Sequence, residues 1–138
     1  MARPTVAEHQ LELAQSSYAR CQQAPDFFRV FYNRFLASDP TIPPFFANTR
    51  FERQDRLLQH GVSLLLIYAK RPNPNLLERL AQRHGPGDLN VPARLYPLFV
   101  QSFLATVREY DSECDAAVEE AWQAALASGI AYMRDFKP

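Results

Sequence analysis

Apolar residues return every three or four positions along this chain, in blocks separated by proline. That spacing lays one apolar face along a helix, and no run alternates long enough to make a strand. The pattern predicts helices over about 5–22, 25–37, 50–70, 75–84, 93–110 and 113–134. The breaks fall at Pro40, Pro43 and Pro44, at Pro72 and Pro74, and at Pro86 and Pro92. Proline disfavours helical geometry at the residue before it, so Asp39-Pro40 ends the second helix. Short helical turns are expected over 40–48. Asp26, after Pro25, and Pro92 both suit helix starts. Gly85, just past Arg83-His84, suits a helix end. Pro97 removes a donor about one turn into its helix and predicts a kink or a tightened start. In the last helix, AWQAALASGIAYM (121–133), small residues allow close helix contact. Trp122, Leu126, Ile130 and Met133 share one face there, which meets the core or a second copy of the chain.

The length, 138 residues, sets the expectation of a single domain spanning 1–138. Fifteen basic side chains balance fifteen acidic ones, so charge gives no reason to expect nucleic acid or an acidic membrane as partner. The longest apolar run, Val62–Ala69, is too short to span a bilayer. No basic or apolar leader is recognised at the start. Cys21 and Cys114 are too few for a disulfide framework and form no metal-ligand spacing. Two reduced thiols in a cytoplasmic protein are the expectation.

The usual enzyme signatures are missing. The histidines, His9, His60 and His84, have no zinc-ligand spacing. No GxSxG motif is present, neither cysteine has a histidine near it in sequence, and four glycines supply no phosphate loop. His84 closes LLERLAQRH, an amphipathic stretch with Leu76, Leu77 and Leu80 on its apolar side. By itself it reads as a histidine favoured by a helix C-terminus, although a single histidine is also enough to hold a haem iron.

Order and spacing then matter. FYNRF (31–35), Phe46 after a proline-rich corner, FERQ (51–54), LERLAQRH (77–84), YPLFVQSFLATV (96–107) and Ala121-Trp122 occur in sequence along the chain. In this order the chain resembles the globin family, in particular single-domain bacterial globins and the globin part of flavohaemoglobins. The resemblance covers about 5–134. It implies an all-α globin fold, a helical sandwich around a haem crevice, with haem b (iron protoporphyrin IX) as cofactor.

The resemblance also assigns residues. It implies His84 as the proximal iron ligand and Phe46 as the corner phenylalanine on the porphyrin face, with Phe45 as the alternative one position away. It implies Tyr32 as the distal tyrosine, Gln54 as the distal helix residue and Leu58 as the apolar side chain over the iron. A one-residue slip puts Arg53 and Leu57 there instead. Leu80 lies on the proximal helix, and Tyr96 matches a tyrosine at the start of the following helix. Read from its neighbours alone, Gln54 sits among Glu52, Arg53, Asp55 and Arg56 and suits a solvated face equally well. Bound oxygen carries partial negative charge, which a phenol O–H and an amide N–H stabilise. His60 is expected at the surface or near a haem propionate, and Arg53, Arg56 and Arg83 are candidate propionate partners. His9 is expected to be exposed.

Flavohaemoglobins support the proximal histidine with a late glutamate. The counterpart here lies near Lys137, where there is none. GPGDLN follows His84, so the helix is expected to end on the ligand itself. The resemblance implies reversible binding of oxygen, nitric oxide and carbon monoxide by a monomer or homodimer. Nitric-oxide dioxygenase activity would need an external reductase. A gas or redox sensor acting through a separate protein is the alternative. A haem-free interaction module is disfavoured by His84.

Overall fold

The computed structural model describes residues 6–137. It contains α1 (Glu8–Cys21), α2 (Phe27–Ala37), α3 (Phe51–Lys70), α4 (Pro74–His84), α5 (Leu95–Tyr110) and α6 (Ala116–Arg134), with one short 3₁₀ turn at Pro43–Phe46. No strand occurs among the described residues. Residue 5, where the first helix was expected to begin, lies outside them. The 3₁₀ turn occupies the corner expected to hold short helical turns.

α2, α5 and α6 start two or three residues later than the apolar spacing predicts, because the chain before them is used for caps and turns. Asp115 caps α6, its Oδ1 accepting the Val118 N–H at 2.9 Å. Asp26 stands at the head of α2, where its carboxylate accepts the Tyr110 hydroxyl at 2.9 Å. Before α5, Leu95 N–H donates to Pro92 and Tyr96 N–H to Ala93, at 3.0 and 3.2 Å. This is the tightened start that Pro97 foretold: the proline falls in the first turn, where its missing N–H has no helical acceptor to lose.

Gly85 caps the end of α4 as expected, but not by a left-handed turn. It follows α4 with φ −82° and ψ −177°, outside the left-handed region expected of a capping glycine. Its need for glycine is steric, since a Cβ there would lie 2.9 Å from the Ala81 carbonyl oxygen.

α6 packs against α1, α3 and α4, while α2 packs on α5, giving a helical sandwich. Trp122, Leu126, Ile130 and Met133 all turn into the core. Gly129 sets the spacing to the neighbouring helices: a Cβ would stand 2.5 Å from Leu65 Cδ2 on α3 and 3.2 Å from Leu77 Cδ1 on α4. Close packing at Gly129 therefore fixes the two helices that carry Gln54 and His84. The opposite end of the core is tied by a polar chain. Trp122 Nε1 donates to Ser17 Oγ at 2.8 Å, Ser17 donates to Asp111 at 2.7 Å, and Arg20 Nη2 reaches Asp111 at 3.0 Å. The Asp111 side chain is fully buried, so these bonds replace the water it has lost.

Candidate functional site

A cavity of ≈ 390 Å³ opens between α2, the corner, α3, α4 and α5. That lies within the range of small-molecule and cofactor sites. Its walls are mostly Phe, Leu, Ile and Val, with a few polar side chains among them.

One polar feature joins α2 to α3. Tyr32 is 4% exposed, and its ring packs against Phe31, Phe46 and Phe51 at centroid distances of 5.1, 5.5 and 5.5 Å. Gln54 Nε2 donates to the Tyr32 hydroxyl oxygen at 2.8 Å. Tyr32 accepts that bond, so its own proton is left to donate. Burial pushes the phenol up to about 12, against the smaller opposing effect of the Gln54 bond. Tyr32 therefore stays a neutral donor at pH 7.

The surroundings of Gln54 follow from helix geometry. Phe51 and Gln54 are one turn apart and face the same way. Glu52, Arg53 and Arg56 are exposed, and Asp55 turns aside to Arg29, its Oδ2 accepting from Nη2 at 3.2 Å. Four charged neighbours made a solvated face a fair reading of the sequence; three of them point to solvent and leave the fourth face to Gln54.

The second polar feature is His84, the last residue of α4. Its Nδ1 lies 2.7 Å from the Leu80 carbonyl oxygen, a bond that requires the proton on Nδ1. Nε2 then carries the lone pair. Burial pushes the imidazole below its ordinary value, more than the Leu80 carbonyl restores, so it is neutral at pH 7. The loop after α4 closes back on the histidine: Val91 N–H donates to the His84 carbonyl at 2.9 Å, with Asn90 at φ 52° making the turn.

His84, Phe46, Tyr32, Gln54, Leu58, Tyr96 and Leu80 all line this one cavity. Phe45 lines it as well, but Phe46 is the corner ring that contacts both Tyr32 and Phe51. Leu58 is half-buried, while Leu57 lines the cavity at its exposed edge and Arg53 does not line it. His60 and Arg83 stand at the same rim, Arg83 paired to Asp88 at 2.7 Å. Arg56 is exposed and outside the lining, and His9 is exposed on α1. Tyr96 is buried, which raises its phenol above the ordinary value.

The sequence reading missed Ile42, 1% exposed in the cavity wall, and the polar clamp beneath it. Arg94 donates to Asp39 and to Thr41 Oγ1, each at 2.8 Å, tying the corner to the head of α5. The two ends of that clamp are 53 and 55 residues apart, and no local pattern links them.

The residues present fit a haem. The walls are apolar and of cofactor dimensions, one neutral imidazole has a free nitrogen, and two polar donors share the same space. The chemistry of that donor set suits a group held by one histidine. Among the described residues no group of three His, Cys, Asp or Glu side chains is placed to hold a metal ion.

The family model for globins matches residues 29–133. The fold is similar to that of a crystallised Pseudomonas aeruginosa PAO1 protein, described as structurally highly homologous to human haemoglobin. The TM-score is 0.88 at 34% identity, covering 91% of this chain and 95% of that one. No curated protein matches the chain.

Proposed function

The chain belongs to the globin family, and from that premise we propose that it is a haem b protein binding oxygen, nitric oxide and carbon monoxide reversibly. Globins bind haem and, through it, diatomic gases. The observation that carries the reading is the pairing of two features in one cavity. His84 presents a neutral Nε2, its other nitrogen held by Leu80, and Tyr32 with Gln54 presents an O–H donor.

Haem would supply an iron able to take up a diatomic gas. The protein's part is as follows. His84 would hold the iron through Nε2, and the Nδ1 bond to Leu80 fixes the tautomer and the plane of the ring. Phe46 and Leu80 would pack on the porphyrin. Leu58 and the surrounding aliphatic residues would keep water from the gas site. Tyr32 would donate its proton to the partial negative charge that oxygen develops, with Gln54 fixing the hydroxyl from behind. Tyr96 would line the proximal side. With no glutamate near Lys137 to join it, it would not strengthen the electron push of His84 on the iron.

Oxygen binding is the leading function. Dioxygenation of nitric oxide is the reaction such a site supports when a separate reductase returns the electron. Among the described residues no helix is long and apolar enough to cross a membrane, and both cysteines are free; these features are compatible with a cytoplasmic setting. Rapid-mixing kinetics on the reduced protein test the proposal. Saturable oxygen uptake with slow release supports it, and nitric-oxide consumption should require added reductant. Failure of the reduced protein to take up oxygen or carbon monoxide would end the proposal.

A further inference from the structure

Arg29 is outside the cavity lining, and nothing in gas binding calls for it. It lies on α2, three residues before Tyr32, with its side chain partly exposed. Its guanidinium carbon sits 4.9 Å from the centre of the Phe51 ring, within cation–π range. Phe51 in turn packs on Tyr32 at 5.5 Å and stacks on Phe46 at 6.1 Å. Through Nη2, Arg29 also holds Asp55, the residue next to Gln54. One side chain thus touches both supports of the Tyr32–Gln54 pair.

We propose that Arg29 is a positioning residue for the distal donors, holding Phe51 behind Tyr32 and keeping the Asp55 carboxylate engaged so that it cannot draw on them. The pairing is incomplete. Asp55 Oδ1 and Arg29 Nε are both buried, and neither has a hydrogen-bond partner among the described residues. Asp55 therefore keeps an unused acceptor, and its charge acts on the Tyr32 phenol. Arg29 Nη2 holds the other oxygen, Oδ2, and the Tyr32 proton is left for the cavity. Without Arg29 the carboxylate is left partly buried and unpaired, a costly state that any nearby donor relieves. On this proposal the Tyr32 O–H, on which the Asp55 charge acts, or the amide of Gln54, its neighbour in the chain, turns toward the carboxylate and leaves the gas without its bond.

The inference rests on the proposed haem function, and its test separates the two. Arg29→Gln, Arg29→Lys, Asp55→Asn and the Arg29→Gln/Asp55→Asn double variant are compared as full-length, haem-loaded protein. The readouts are oxygen release, carbon monoxide release, the C–O stretching frequency of the carbon monoxide complex, and thermal unfolding. Arg29→Gln should release oxygen roughly threefold to tenfold faster, the size of a weakened hydrogen bond. Carbon monoxide release should change much less, and the C–O stretch should move up as donation is lost. Removing the carboxylate in the double variant should restore most of the wild-type oxygen rate and stretch. Arg29→Lys keeps the charge but lacks the planar group, and should lie between wild type and Arg29→Gln. A purely structural latch between α2 and α3 would change both gases alike, leave the stretch in place and lower the melting temperature without rescue by Asp55→Asn. That pattern, or an unchanged oxygen rate, overturns the proposal for Arg29 and leaves the haem function standing. A wild type that takes up no haem overturns both.

Discussion

Tyr32→Phe removes one oxygen atom from the proposed gas site and nothing else. The ring contacts with Phe31, Phe46 and Phe51 need no hydroxyl, so the cavity wall should hold its shape. What is lost is a donor already aimed by the 2.8 Å bond from Gln54 and kept protonated by burial. A hydrogen bond to a partly charged acceptor in such a setting is worth about 1.5–3 kcal/mol. At 1.4 kcal/mol per decade, oxygen release should quicken roughly tenfold to a hundredfold. The lower part of that range is expected, because the Gln54 amide, freed from Tyr32, can turn to donate in its place. The assay displaces oxygen with excess carbon monoxide in a stopped-flow instrument. The control is carbon monoxide release itself, which should move little, since that ligand carries less negative charge. The same factor for both gases would mean that Tyr32 acts by shape, and an unchanged oxygen rate would mean that its proton does not reach the ligand.

Other consequences are equally concrete. Gln54→Leu should speed oxygen release by less than Tyr32→Phe does, and the double variant should exceed the product of the two factors, since Gln54 donates in place of the lost hydroxyl; a Gln54→Leu rate unchanged both alone and in the Tyr32→Phe background would place Gln54 outside the gas site. Asp111→Ala strands the partly solvated Arg20 and leaves Ser17 without its acceptor, and should cost about 3–5 kcal/mol by chemical denaturation, toward the lower end because Arg20 is 25% exposed. Burial alone would raise the Asp111 carboxyl, but Arg20, Ser17 and the Glu113 N–H outweigh it and hold the group below its ordinary range. Its contribution is therefore complete above the unfolded value of about 3.9 and fades as pH falls below it, so the stability gap between wild type and Asp111→Ala should narrow below about pH 4. Gly129→Ala drives a methyl against Leu65 and Leu77 and should cost about 1–3 kcal/mol; a fully stable variant that takes up haem normally would show that α6 can shift without disturbing the two walls.

Much of the fold was written in local pattern. Helix ends came within three residues because proline and apolar spacing act over a turn or two, and Pro97 announced its own tightened start. His84 and the Phe46 corner were singled out through the order of short motifs, since nothing about a lone histidine at a helix end points to a ligand. Gln54 marks the limit of local reading: its charged neighbours Glu52 and Arg56 argue for solvent, and only the partner 22 residues earlier shows which way it faces. Arg29 over Phe51, Arg94 on Asp39, and Ser17 with Asp111 were not legible. Each joins residues brought together by helix packing, 94 positions apart in the last case. A charged or hydroxyl residue reads as surface until its partner is known. Gly85 was recognised as necessary for the wrong reason, because its sequence position gives no hint that the Ala81 carbonyl crowds it.

The account depends most on His84 as the residue that would hold the cofactor. Haem titrated into purified wild type and His84→Ala, followed by visible absorption in the reduced and carbon monoxide states, tests it most directly. Wild type should take up one equivalent and give the sharp blue band of a histidine-ligated haem. The variant should lose haem on gel filtration or hold it weakly with an altered band. Unchanged spectrum and haem content in His84→Ala would contradict the account and point to another ligand.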